Sequence, residues 1–263
     1  MTVPIVFDRK IYAARRGRPA RNAGDQFLVH QVAENMAERL HAVKKRFSRG
    51  LDLGSRTTSF ATLAPFAGYW VRTSLSPTDH AVSVAADEEA LPFAAQSFDL
   101  VVSVLSLHAV NDLPGTLLQI RHMLKPDGLF LAALFGGATL GELRRAFAAG
   151  EVERRGGASP HIAPFADVRD MGQLLQRAGF TQPVADLDRT LVHYTSFATL
   201  VNDLRALGET NSLASRERAP LRRDVLQAAL AHYALHDADD RGRLNATFDI
   251  VSLTGWSAVA GPD

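Results

Sequence analysis

Apolar positions recur along the chain at two spacings, and the alternation between them outlines the fold. Phe27, Leu28, Val32, Met36, Leu40 and Val43 follow a helical period, predicting a helix from Asp25 to Phe47 with Asp25 as its N-cap. A short apolar run, Leu51 to Leu53, then reads as a strand, and Thr57 to Phe66 as a weak helix with Pro65 near its end. Tyr69 to Leu75 and Ala81 to Ala85 have strand character. Phe98 to Leu105 is apolar on both faces, as a central parallel strand must be. A helix from Leu113 to Leu124, a turn at Lys125-Pro126-Asp127-Gly128 and a buried strand from Leu129 to Phe135 follow.

Beyond Gly136 the helical spacing dominates, over Thr139 to Glu153, Asp167 to Ala178 (stopped by Gly179), Ser196 to Leu207 and Leu221 to Leu235. Val184 to Tyr194 and Ala246 to Trp256 close the list of strands. Strands alternating with helices imply an α/β fold with a parallel sheet and right-handed crossovers. Residues 1–24 read as irregular, because Gly17, Pro19 and Gly24 interrupt any helix; a docked tail is favoured there over a flap across a pocket.

Composition narrows the function. Hydrophobic residues make up 46% of 263, enough for a full core, and Lys+Arg 29 against Asp+Glu 28 argues against a general nucleic-acid binder. The absence of cysteine removes disulfides, thiolate metal sites and cysteine nucleophiles. No apolar run reaches the roughly 18 residues of a spanning helix. His161, His193, His232 and His236 have no carboxylates at a metal-binding spacing, so no metal site is expected.

The organising stretch is Arg49-Gly50-Leu51-Asp52-Leu53-Gly54-Ser55-Arg56-Thr57-Thr58, a strand running through an acid and a glycine into a helix start. Together with Ala86-Asp87-Glu88-Glu89-Ala90-Leu91-Pro92-Phe93, Phe98-Asp99-Leu100-Val101-Val102-Ser103 and Leu124-Lys125-Pro126-Asp127-Gly128, in that order, it resembles the class I S-adenosylmethionine-dependent methyltransferases. That resemblance implies a Rossmann-like seven-stranded sheet, its last strands antiparallel, with a helical N-terminal extension and an inserted substrate-side lobe. The expected division is a tail and helix over 1–47, a cofactor core over 48–135, and a lid or substrate lobe with the closing strands over 136–263.

A narrower resemblance rests on Phe7-Asp8-Arg9, Ser106 to Pro114, Phe135 to Leu140, Gly157 to Phe165 and Leu207-Gly208-Glu209-Thr210-Asn211. These segments are similar to the methyltransferase-like assembly factors of respiratory complex I, whose mitochondrial member is regarded as hydroxylating an arginine of a complex I subunit. The malonyl-carrier-protein O-methyltransferases share the core less closely. Because the chain starts close to Phe7-Asp8-Arg9, a bacterial, cytoplasmic relative is expected rather than an imported precursor. The partner that the resemblance implies is a protein substrate, a respiratory-chain subunit.

By that resemblance Asp52 and Gly54 belong to the first cofactor turn, Ser74 takes the place of the acid expected about twenty residues on, and Asp87 faces the adenine. Arg56 and Thr58 replace glycines, and Ser74 cannot hold two ribose hydroxyls as a carboxylate would. Binding of S-adenosylmethionine is therefore expected to be weakened or lost, unless Arg56 points outward or pairs with the cofactor's carboxylate. His108, after the fourth strand, is the candidate general base, with a backbone-bonded helix-entry histidine as the alternative. Two functions stay open: an enzyme acting on a protein side chain, and a binding or assembly protein on a methyltransferase fold.

Overall fold

The computed structural model describes residues 4–18, 26–75 and 84–259. The expected N-cap Asp25 and the first part of the strand expected from Ala81 lie outside them.

Seven strands form one sheet: β1 (Phe47–Leu53), β2 (Ala67–Ser74), β3 (Val84–Ala85), β4 (Phe98–Val104), β5 (Leu124–Phe135), β6 (Thr181–Tyr194) and β7 (Leu244–Trp256). Their order is β3-β2-β1-β4-β5-β7-β6, with β7 antiparallel to both neighbours and the rest parallel. The chain reverses direction of growth between β1 and β4, which makes that boundary the topological switch point where open α/β sheets take ligands.

The centre of the sheet is buried on both faces, as the apolar runs require. Leu100, Val102 and Leu131 pack on one side and Val101, Phe130 and Ala132 on the other. The first face is covered by α2 (Phe27–Ala42), α5 (Gly141–Arg155), α7 (Phe197–Ala206) and α8 (Arg223–His236), through Leu28, Met36, Phe147, Leu200 and Tyr233. The second carries α4 (Leu113–Met123) and α6 (Val168–Arg177), through Leu117, Ile120, Met171 and Leu175. The weak helix after β1 is α3 (Thr57–Leu63), finished by a tighter turn at Ala64–Phe66. The expected turn at 125–128 lies inside β5 as an irregularity of pairing with β4, with Asp127 at φ +57°.

Helix starts are fixed by local chemistry. Asp112, Asp167 and Ser196 accept from the backbone amides of Gly115, Arg169 and Thr199. The N-terminal segment departs from the irregular tail read in the sequence. Asp8 caps a two-turn helix, α1 (Arg9–Arg16), by accepting from the amide of Ile11. Gly17 lies beyond its end, so the glycine that seemed to forbid a helix closes one. Tyr12 of α1 is fully buried, and Phe7 pairs with Leu213 in an isolated bridge.

α5 and α8 touch backbone to backbone at Gly150, where a Cβ would stand 2.6 Å from the nitrogen of Ala229 and 2.9 Å from the oxygen of Val225. Gly150→Ala is expected to force the helices apart and cost about 1–3 kcal/mol, read by urea denaturation. Unchanged stability would mean that α8 shifts freely on the sheet.

Candidate active site

The site lies over the carboxyl ends of β1, β2 and β4. Gly54 follows β1 in the left-handed region, φ +63°, and a Cβ there would stand 2.1 Å from Ser106 Oγ and 2.5 Å from Ser106 Cβ. The turn is therefore open only to glycine. It leans on β2: the amide of Ser55 donates to the carbonyl of Thr73 at 2.8 Å, and Arg72 Nε donates to Ser55 Oγ at 2.8 Å. Ser74 is buried at the end of β2, beside Ala85.

Asp52 is fully buried, and neither carboxylate oxygen has a hydrogen-bond partner among the described residues. Burial pushes its carboxyl up to about 7, against the opposing pull of the Ser55 hydroxyl, Arg72 and Arg16. A folded-state value above the unfolded 3.8 means that the native state holds an extra proton between about pH 4 and 7, so stability falls as pH rises through that window. Asp52→Asn is expected to be more stable than the parent by about 2–3 kcal/mol above pH 7, the gain fading towards pH 4. Denaturation curves across pH check this; a gain that persists at pH 4 would show that ionisation is not its source.

Asp87 and its neighbours form a structured turn, and Glu88 is its buried member. Ser106 Oγ donates to Glu88 Oε1 at 2.5 Å, and the amide of Asn111 donates to Glu89. Arg9, from the first turn of α1, donates to Asp87 Oδ1 at 2.7 Å, to Glu88, and to the carbonyl of Ala109 at 2.9 Å. The acid assigned to adenine is thus already ion-paired within the chain.

At its last turn α1 delivers Arg16. Its guanidinium donates to the carbonyls of Gly54 at 2.6 Å and Leu105 at 2.8 Å, the first residues past β1 and β4, and to the Tyr12 hydroxyl at 3.1 Å. Arg56 has ordinary extended backbone, φ −125°, so its replacement of a glycine strains nothing. Its side chain is buried rather than turned outward, and Nη2 donates to Glu209 Oε1 at 3.2 Å. Burial pushes the Arg56 guanidinium down to about 10, with Arg16 adding to the effect. Thr58 sits within α3 and bonds Gln26 at 2.9 Å.

Glu209 links these groups to His108. Its Oε2 lies 2.9 Å from His108 Nε2, and its Oε1 accepts from Arg56 and, at 3.4 Å, from Tyr12. Burial raises the Glu209 carboxyl, but His108, Arg56 and Arg16 outweigh it and hold the group below the usual range, ionised. The sequence shows no partner for His108; the partner stands 101 residues further on. Glu209 follows the C-terminal Gly208 of α7, whose φ of +72° carries the chain back over β4.

Beyond His108 lies a cavity of about 200 Å³ lined by Phe135, Phe147, Phe165, Phe197 and Phe248, with His108 and Glu209 at one side and His161 at another. The His108 ring packs on Phe135 at 4.7 Å and Phe165 at 5.6 Å. His161 stacks on Phe147 at 4.5 Å and bonds the buried Glu151 at 2.9 Å. It is a wall of this cavity. The described residues hold no cluster of metal-ligating side chains and no helix long and apolar enough to cross a membrane.

A methyltransferase-domain family model matches residues 28–182. The chain belongs to that family. Human arginine-hydroxylase NDUFAF5, mitochondrial, is 41% identical over 95% of this chain and 76% of its own length. The malonyl-[acyl-carrier protein] O-methyltransferase of Gallionella capsiferriformans is 33% identical over 87% of this chain and 83% of its own. Among solved structures, the YcgJ protein of Bacillus subtilis shares the fold, with a TM-score of 0.60 at 14% identity, covering 87% of this chain and 99% of that one. The seven-stranded methyltransferase-type sheet expected from the sequence is the one observed.

Of the sequence-derived candidates, Asp52, Gly54, Ser74 and Asp87 each lie at or just past the end of β1, β2 or β3, and His108 lies past the end of β4, paired with Glu209. Sequence reasoning missed Arg9 and Arg16 and left Tyr12 and Glu209 without roles. The shared segments Phe7-Asp8-Arg9 and Leu207-Gly208-Glu209 were the available signal.

Proposed function

We propose that this methyltransferase-family chain binds an arginine-bearing segment of a partner protein, a respiratory-chain subunit, in the cavity beside His108. The observation that carries this reading is the buried His108–Glu209 pair at the wall of an aromatic-lined cavity. Aromatic faces and a carboxylate are the complement of a guanidinium. His108 turns Nε2 to Glu209. Its Nδ1 is buried and has no hydrogen-bond partner among the described residues, so a polar group of an incoming side chain would satisfy it. The names of the NDUFAF5 relatives, arginine-hydroxylases, support the same class of side chain.

Three features weigh against S-adenosylmethionine, the cofactor implied by the fold, at this rim. Arg16 covers the carbonyls after β1 and β4, Arg9 engages Asp87, and Ser74 offers no carboxylate. This supports the binding or assembly reading over methyl transfer. Arginine hydroxylation is the second reading, favoured by the same His108–Glu209 pair; it would require an oxidant and an electron source from outside the chain.

Native capture followed by mass spectrometry of the bound partner tests both. The proposal expects a respiratory-chain protein held through an arginine-containing segment, with no peptide gaining the mass of a methyl group. A methylated partner would refute it, and a hydroxylated one would select the second reading.

A further inference from the structure

The crevice at the β1–β4 switch point gathers acceptors around Arg16, with Arg56 sharing Glu209 Oε1 as a second donor. The carbonyls of Gly54 and Leu105, the Tyr12 hydroxyl and Glu209 Oε1, 3.8 Å away, all present acceptors to the Arg16 guanidinium. A guanidinium carries only donors, in a planar fork, and is the natural filling for such a set. α1 is seated to keep this arrangement. Arg9 pins its first turn to Asp87, Glu88 and the carbonyl of Ala109. Near its last turn Gly208 admits the Arg16 backbone so closely that a Cβ would stand 2.9 Å from Arg16 Cα. The Arg16 side chain is only 7% exposed.

We infer that the switch-point crevice of this chain is a guanidinium-binding site filled in cis by Arg16, so that α1 is a built-in ligand of the fold. The inference stands apart from the partner proposed for the cavity beside His108. It predicts that the fold depends on a guanidinium at this point and accepts one from solution when Arg16 is removed.

The test compares the parent chain with Arg16→Ala, Arg16→Lys and, as a surface control, Arg177→Ala. Thermal unfolding is followed with and without millimolar methylguanidinium. Arg16→Ala is expected to melt on the order of 10 °C lower, because carbonyls and a carboxylate lose a buried partner. Methylguanidinium is expected to raise that midpoint saturably while leaving the parent and control unmoved. Arg16→Lys, a cation without the fork, should fall between. An Arg16→Ala midpoint equal to the parent's, or the same response to methylguanidinium in every chain, would overturn the inference. Should Arg16→Ala fail to fold, hydrogen exchange of the parent decides. α1 amides unchanged by added S-adenosylhomocysteine uphold the inference, and micromolar binding with faster α1 exchange overturns it.

Discussion

Glu209→Ala is expected to lower the unfolding free energy by about 3–5 kcal/mol, the cost of removing one partner from a buried charge cluster. The carboxylate is 11% exposed and stands between His108 at 2.9 Å and Arg56 at 3.2 Å, with Arg16 at 3.8 Å. Without it, two buried guanidinium groups face each other with no intervening negative charge, and burial already disfavours the charged form of Arg56. Glu209→Gln keeps the hydrogen-bond acceptor but not the charge, and should lose less. Because the folded-state carboxyl is held below its ordinary value, its contribution is present at neutral pH and disappears as pH falls through the folded value. Urea denaturation at neutral and acidic pH measures both effects. A loss below about 1 kcal/mol at neutral pH would mean that water, not Glu209, compensates these arginines.

Val201→Trp is expected to weaken partner capture strongly while leaving the fold in place. Val201 lies on α7, is only partly buried, and lines the aromatic cavity. An indole there would extend into a space of about 200 Å³ rather than into close-packed core. Its overpacking cost should therefore stay small beside the roughly 1–3 kcal/mol of a core insertion. Affinity for the captured partner should fall on the order of a hundredfold, the scale of losing a central anchor. Titration of that partner into parent and variant, with thermal midpoints as the control for folding, gives the answer. Undiminished affinity would place the binding surface elsewhere and remove the cavity from the proposed function.

The arginines at the rim change what the replaced glycines mean. From the chain alone, Arg56 reads as a side chain forced into the cofactor's space or into unfavourable backbone geometry. The backbone is ordinary, and the side chain has a buried partner from α7's end. The greater departure from an open cleft comes from Arg16, in a segment that the sequence presents as an irregular docked tail. Basic residues next to glycine and proline carry no periodic signal, and the acceptors that bury them arrive from Gly54, Leu105 and Glu209, far along the chain.

By itself the sequence determined the elements and the sheet they build. Apolar runs such as Leu100–Val104 must be buried on both faces, and the caps Asp112, Asp167 and Ser196 set helix starts through contacts within three residues. Asp52, Gly54, Ser74 and Asp87 line up because each sits at or just past a strand end. Only the tertiary structure decided what fills that rim. The pairing of His108 with Glu209, of Arg9 with Asp87 and the carbonyl of Ala109, and of Arg16 with the carbonyl of Gly54 spans 38 to 101 residues of chain. Charge pairing leaves no spacing rule behind: its energy depends on distance and burial in space, and both are set only when the sheet has brought the segments together.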